Sequence, residues 1–307
     1  MGIGAAGALG VAWLASPERS QLLPGQAPPA APGATHLNGW VTIGPDGDVT
    51  VAMSKMEMGQ GIHTGLAMLV AEELEVPWER IQVRPAFEDP IYNNLAMAGQ
   101  LANALDPRQE GRVLRPAADH VLRKLLRDVP GLAVTGASTG MRDQWHALRA
   151  AGASARLMLV QAAAAQWGVP ASACRTEAGE VVHPSGQRLG YGALAEAAAR
   201  RPVPRDPPLK PPQAFKLIGR PLPRLDAAAK SSGRAVYGLD VRPPGLLYAA
   251  VRMAPVLGGR VKAFDARQAR ALGALAVVVL PPQPGGLGSV GHSSGAVAVV
   301  ADKPHRA

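Results

Sequence analysis

The sequence predicts an α+β protein built in two parts, and three observations carry that prediction. Two β-prone runs, Trp40 to Ile43 and Val49 to Ala52, flank the turn Gly44 to Gly47 (GPDG), a strong hairpin signal. Helix-forming stretches follow, of which Arg142 to Trp167 is the longest. Six prolines then fall within residues 202–212 (PVPRDPPLKPP), and beyond them the texture changes to short strand-like segments. Such proline density forbids a helix and calls for a stiff, extended connector. The expected organisation is a signal-like segment and linker over 1–37, a first domain over 38–201, a proline-rich linker over 202–222 and a second domain over 223–307.

The elements follow in order. After the hairpin comes a Gly-Gln-Gly corner, then a helix from about His63 to Leu74 that Pro77 ends. Ile81 to Arg84 reads as a strand. Residues 86–112 lack a period and read as a long surface loop. A helix over Pro116 to Asp128 places its proline at the first helical position. A second Gly-rich loop, Thr135 to Gly140, precedes the Arg142 to Trp167 helix, whose one weak point is Gly152, costing about 1 kcal/mol against Ala. Glu177 to Glu180 turns a small hairpin, and Tyr191 to Arg200 is a short Ala-rich helix. Past the prolines, strands are expected at Ala235–Val241, Leu247–Met253, Val261–Phe264, Val277–Leu280 and Ala296–Ala301, with a helix at Ala266–Leu272.

Composition narrows the function. The chain has 307 residues, is 47% hydrophobic and can bury a substantial core. A net charge of +9 invites anionic partners, but the basic residues are dispersed and no aromatic-interleaved basic stripe appears. Nucleic acid is not an expected partner. Cys174 is the single cysteine, which excludes an internal disulfide and a four-cysteine iron–sulfur cluster. No H-E-x-x-H, paired C-x-x-C, G-x-S-x-G or Walker A lysine is present, so a metal would have to arrive held by an organic cofactor.

Gly2 to Gly7 (GIGAAG) matches G-x-G-x-x-G, yet no strand precedes it, so the dinucleotide reading is rejected. The run from Gly2 to Ser16 is short for a membrane span of about 20 residues and resembles the apolar part of an export signal. No integral membrane span is expected. With a twin-arginine pair upstream of Met1, the protein would be periplasmic or membrane-associated; otherwise it is cytoplasmic.

The corner formed by Gly59, Gln60 and Gly61 carries the chemistry. Glycine permits positive φ and close approach of a ligand to backbone. A helix N-terminus offers unpaired N–H groups to an anion, and Gln60 adds a donor and an acceptor. A tight turn with a solvent-facing glutamine is the commoner meaning of such spacing. The loop at Gly136 to Gly140, with hydroxyls at Ser138 and Thr139, is by itself an ordinary N-cap. Two such loops at two helix mouths make shared binding of a phosphate-bearing cofactor the sharper reading.

The run Glu57 to Gly65 (EMGQGIHTG), continuing to Leu74, resembles the molybdopterin-binding subunits of the xanthine dehydrogenase/aldehyde oxidase family, in particular the large (beta) subunits of isoquinoline 1-oxidoreductases. Thr135 to Trp145 (TGASTGMRDQW) resembles the second cofactor loop of that subgroup, although Gly140 and Met141 stand where hydroxyl residues are expected. Arg224, Asp226, Lys230, Gly233, Ala235 to Tyr237, Asp240 and Pro244 to Tyr248 resemble the start of the family's α/β hammerhead domain. The resemblance covers about Leu37 to Asp302.

It implies a partial molybdopterin-binding domain followed by a hammerhead domain, and molybdopterin, in its cytosine dinucleotide form, carrying molybdenum. Gly59, Gln60 and Gly61 would contact the molybdopterin end, and Ser138 and Thr139 its phosphate or dinucleotide part. The reaction implied is oxidation of an N-heterocycle or aldehyde at carbon with oxygen from water. Electrons would leave through iron–sulfur clusters of a small [2Fe–2S] partner subunit. The family's essential glutamate lies near the C-terminus of a longer chain, and no glutamate here sits in a matching context. The resemblance thus implies an N-terminal part, inactive alone. The alternatives are a non-catalytic fragment and an exported binding module without cofactor.

Overall fold

A computed structural model describes residues 29–97, 115–283 and 293–307. The leader, the glycine pattern at Gly2 to Gly7 and much of the 86–112 loop lie outside the described residues. The chain divides into two units, Met1–Ala227 and Ala228–Ala307.

In the first unit, β1 (Thr35–His36), β2 (Val41–Ile43) and β3 (Val49–Met53) pair antiparallel in succession. The β2–β3 turn forms at the expected place: Gly47 adopts φ 89° and its N–H donates to the Gly44 carbonyl at 3.0 Å. From β3 the chain crosses through α1 (Ile62–Leu74) to β4 (Ile81–Pro85), which pairs parallel with β3, Val51 opposite Val83. Pairing parallel neighbours requires such a crossover, and Pro77 with Glu75 at φ 59° ends its helix.

α1 is buried on most of its circumference, Leu66, Ala67, Leu69, Val70, Ala71 and Leu74 all lying within the core. It therefore needs cover on the side away from the sheet. After α2 (Arg115–Arg127), that cover is α3 (Gly140–Trp167). The α3 run Ala151, Gly152, Ala153, Ser154 and Ala155 is buried and small, which lets the two helix backbones approach. Ile62 lies near Gly140, Gly65 near Met141, and Val70 and Glu73 near Gly152. These contacts advance along both helices in the same direction, so both N-termini open at one end of the pair. A small antiparallel sheet, β5 (Arg175–Glu177), β6 (Glu180–Val182) and β7 (Arg188–Gly190), precedes α4 (Tyr191–Ala199).

Two expectations change here. The part of the 86–112 loop that is described is not a surface loop. Tyr92 is buried, and the Asn93 amide donates to the Leu126, Arg127 and Val129 carbonyls, capping the end of α2. The proline-rich run is extended, as its prolines require, but it does not stand free. The buried Glu72 carboxylate accepts N–H bonds from Lys216, Leu217 and Ile218 at 2.8, 2.6 and 3.2 Å. Lys210 reaches both Glu72 and Glu75. Arg149 pairs with Glu73 and lies against the rings of Trp145 and Phe215. Residues 210–218 thus form a strap fastened to the C-terminal end of α1.

In the second unit, the helix α5 (Ala227–Ser231) leads to a sheet ordered β8 (Tyr248–Met253), β10 (Ala296–Ala301), β9 (Ala276–Leu280), all antiparallel, with α6 (Arg267–Ala271) before β9. The strands expected at Ala235–Val241 and Val261–Phe264 do not form. Asp240 accepts from the Tyr237 N–H and tightens Gly238–Asp240 into a 3₁₀ turn, competing with a ladder. Residues 261–264 have no ladder partner among the described residues. Together the two units are a mixed helix-and-sheet protein, as expected of an α+β chain.

Candidate functional site

The two Gly-rich loops meet at the shared end of α1 and α3. The Met56 N–H donates to Thr135 Oγ1 at 2.7 Å, joining the loops directly. Beneath that bond Lys55 Nζ lies 2.9 Å from Asp143 Oδ2 in the first turn of α3, with both side chains almost wholly out of solvent, at 0% and 3% exposure. Burial pushes the Lys55 ammonium below its ordinary range, and the Asp143 charge and hydrogen bond act against that shift. Asp143 also accepts the Ala96 N–H at 3.0 Å, so one carboxylate ties three segments together.

At the first loop, Gly59 and Gly61 take φ 103° and 81°, a region that L side chains rarely enter. Nothing lies within 4 Å of where a Cβ would stand on either residue, nor on Gly136 of the second loop. A ligand can therefore approach these three backbones closely. The Gln60 amide is engaged within its own loop: Oε1 accepts the Met58 N–H at 2.6 Å, and Nε2 donates to the Met56 carbonyl at 3.0 Å. Beside it Met56 and Met58 stand 69% and 68% exposed, a polarizable apolar rim around the glycines.

The mouth of α1 differs from expectation. The Gly59, Gly61 and His63 N–H groups are not waiting for an anion, because the Glu57 carboxylate accepts all three. Glu57 Oε1 accepts the Gly59 and Gly61 N–H groups, each at 2.9 Å, and Oε2 accepts the His63 N–H at 3.1 Å. Arg224 Nη2 sits 3.2 Å from Glu57 Oε1, and its Nη1 donates to the Gly59 carbonyl at 2.7 Å. Asp226 holds the other side of the guanidinium, at 2.9 Å from both Nε and Nη2. Burial raises the Glu57 carboxyl, but the N–H groups of Gly61, His63 and Gly59 and the Arg224 charge outweigh it, so its pKa lies below the ordinary value.

At the second loop, Ala137 and Ser138 both adopt left-handed φ, 55° and 53°, without being glycine. That conformation leaves Ser138 exposed. Thr139 is buried and does not cap α3 as its position suggested. Its hydroxyl donates to the Gly136 carbonyl at 2.9 Å and accepts from Asn94 Nδ2 at 2.7 Å, which draws it inward. Of the two hydroxyls singled out, only that of Ser138 faces solvent, and Thr139 shapes the loop behind it.

Sequence reasoning found the corner and the second loop but gave Glu57, Arg224, Thr135, Lys55 and Asp143 no role in the site. Glu57 lies outside the capping-box spacing, which looks for the acid inside the first turn. Arg224 is distant in sequence. A cleft of about 90 Å³ lined by Trp40, Asn93, Arg123, Asp143 and Gln144 includes none of the five predicted residues. Among the described residues no three His, Cys, Asp or Glu side chains gather to hold a metal ion. No described helix is long and apolar enough to cross a membrane.

Residues 9–105 match the molybdopterin cofactor-binding domain. Over 273 residues the chain is 33% identical to the beta subunit of isoquinoline 1-oxidoreductase from Brevundimonas diminuta, a match covering 77% of this chain and 31% of that protein. It is 29% identical over 245 residues to membrane-bound aldehyde dehydrogenase (pyrroloquinoline-quinone) of Gluconacetobacter polyoxogenes, covering 78% and 27%. It is 27% identical over 237 residues to a nicotinate dehydrogenase subunit of Pseudomonas putida, covering 75% and 17%. The chain spans less than a third of the length of each of these relatives.

Proposed function

We propose, for a chain that belongs to the xanthine dehydrogenase/aldehyde oxidase family of molybdopterin-binding subunits, that it forms part of the cofactor seat of a molybdenum hydroxylase. The observation that carries this reading is the convergence of two helix mouths whose glycines, Gly59, Gly61 and Gly136, leave their outer faces open. A flat, phosphate-bearing ligand needs both features: bare backbone to lie against and hydroxyl or N–H donors for its anionic end.

Gly59 and Gly61 receive the pterin end, and the Gln60 amide holds their loop in shape. Ser138 meets the phosphate or dinucleotide part, in our reading a cytosine dinucleotide, from the strained turn that Thr139 and Asn94 brace. When bound, such a cofactor supplies the redox chemistry, and the protein supplies position and electrostatics. The substrate class is an N-heterocycle or an aldehyde, hydroxylated at carbon with oxygen from water. Electrons pass to a small partner protein carrying [2Fe–2S] clusters. We read the second unit as a hammerhead domain, on the strength of the Pro244 to Tyr248 resemblance and the β8–β10–β9 sheet.

The test is to produce the 307-residue chain in a host that makes molybdopterin and to measure metal and pterin in the purified protein. Molybdenum and a fluorescent pterin derivative are expected to co-purify, and Ser138→Ala and Gly61→Val to lose most of both. A wild-type chain carrying neither overturns the reading.

A further inference from the structure

We propose that Glu57 and Arg224 are a positioning pair that holds the Gly59–Gln60–Gly61 corner in its ligand-receiving shape. The inference rests on the cofactor reading above, but the pair itself belongs to the ligand-free chain.

Two glycines at positive φ within three residues have many other conformations open to them. Something must select this one, and Gln60 alone reaches only Met56 and Met58. Glu57 fixes the other half of the loop, because a single carboxylate accepts the N–H groups of Gly59, Gly61 and His63. Arg224 closes the loop from outside by binding both the Glu57 carboxylate and the Gly59 carbonyl. Next to it the Leu225 N–H donates to Thr64 Oγ1 at 3.1 Å, anchoring the arginine's backbone to α1. Charge-assisted bonds of this kind are about twice as strong as neutral ones. The arrangement also places a carboxylate where an anionic ligand group would otherwise bind, so the open faces of the glycines, not the helix mouth, are what the corner offers.

The charged group in contact with Glu57 is Arg224, whose guanidinium Asp226 holds on its far side. His63, whose ring binds the Lys55 carbonyl, and Lys55, paired with Asp143, are the other titratable side chains of the corner.

The experiment uses the ligand-free full chain labelled with ¹⁵N-glycine, alongside Glu57→Gln, Glu57→Ala, Arg224→Gln and Arg224→Lys. In the wild type, the Gly59 and Gly61 amides are expected to exchange slowly at neutral pH. They should report one shared titration below the ordinary glutamate value of about 4.3. Glu57→Ala should speed both exchanges at least about tenfold while Gly168 and Gly179, far from the corner, keep their rates. Glu57→Gln should abolish the titration. Arg224→Gln should move its midpoint upward, and Arg224→Lys should restore part of that shift.

In holo-protein, molybdenum retention in Glu57→Ala should fall about tenfold or more, the scale seen for groups that orient ligating residues. Unprotected Gly59 and Gly61 amides in the wild type, or a titration indifferent to Arg224, overturn the inference whatever the cofactor content. A wild-type chain without molybdenum but with the shared titration overturns the cofactor reading and leaves the pair standing.

Discussion

Gly152 of α3 and Val70 of α1 are in such close apposition that a Cβ on the glycine would lie 2.8 Å from the Val70 carbonyl oxygen. The Glu73 Cβ would be 3.1 Å away. The glycine that weakens α3 as a helix is what allows α3 to cover α1. Gly152→Ala should gain about 1 kcal/mol in helix propensity and lose about 1–3 kcal/mol to overpacking against backbone that cannot yield. The expected net effect is a destabilisation of about 1 kcal/mol, read as a lower urea midpoint at unchanged slope. A stabilised variant would show that the helices can separate without loss.

Ala137 sits in left-handed conformation beside Ser138, which does the same. A left-handed L-residue carries about 1–2 kcal/mol of strain that glycine lacks, and the greater freedom of unfolded glycine offsets part of the relief. Ala137→Gly should therefore stabilise the chain by roughly 0.5–1 kcal/mol and raise the melting midpoint by about 2 °C. An unchanged or lower midpoint would mean that the strain is absent in solution.

The Lys55–Asp143 pair is buried, so neither partner can be removed alone without leaving a charge out of water. Asp143→Asn should cost about 3–5 kcal/mol. Replacing both, as Lys55→Met with Asp143→Leu, should cost clearly less than the sum of the single changes. Because Lys55 is already displaced downward by burial, losing Asp143 should displace it further in the same direction. That is checked by following Asp143→Asn stability as pH rises toward the ordinary lysine value of about 10.4. A depressed lysine binds fewer protons folded than unfolded, so stability should rise across this window, more steeply than in the wild type.

Glu72 anchors the strap. Burial raises its pKa, but the N–H groups of Leu217, Ile218 and Lys216 and the Lys210 ammonium lower it further, leaving it below the ordinary value. A depressed carboxylate contributes stability that is present above the unfolded pKa and lost as pH falls through the folded one. Stability should thus fall below about pH 4.3 in the wild type and fall less in Glu72→Gln. At neutral pH, Glu72→Ala should cost about 3 kcal/mol, since three N–H groups and Lys210 lose an acceptor. Proteolysis in the 210–218 segment should accelerate with it, and an unaltered cleavage rate would show that the strap is held by other means.

What the sequence determined by itself is what short-range physics writes into it. The GPDG turn, the Pro77 stop of α1, the long α3 and the strands Leu247–Met253, Val277–Leu280 and Ala296–Ala301 are local signals of turn chemistry and period, and each appears within a residue or two of where it was expected. The glycine-rich corners were equally legible, because bare backbone before a helix is visible in a line of letters. Only the tertiary structure decided how those corners are used. Glu57 accepts the Gly61 and His63 N–H groups at the mouth of α1, and Arg224, 167 residues away, closes the loop over it. Asn94 turns Thr139 inward from 45 residues off. The prolines of the linker dictate an extended chain but not the carboxylate it docks on, and Ala235–Val241 has strand-like residues but an aspartate that hydrogen-bonds its own turn first. In every such case the deciding partner is a specific hydrogen-bonding or charged group supplied by the fold or by side-chain geometry, and such pairings leave no periodic trace in the sequence.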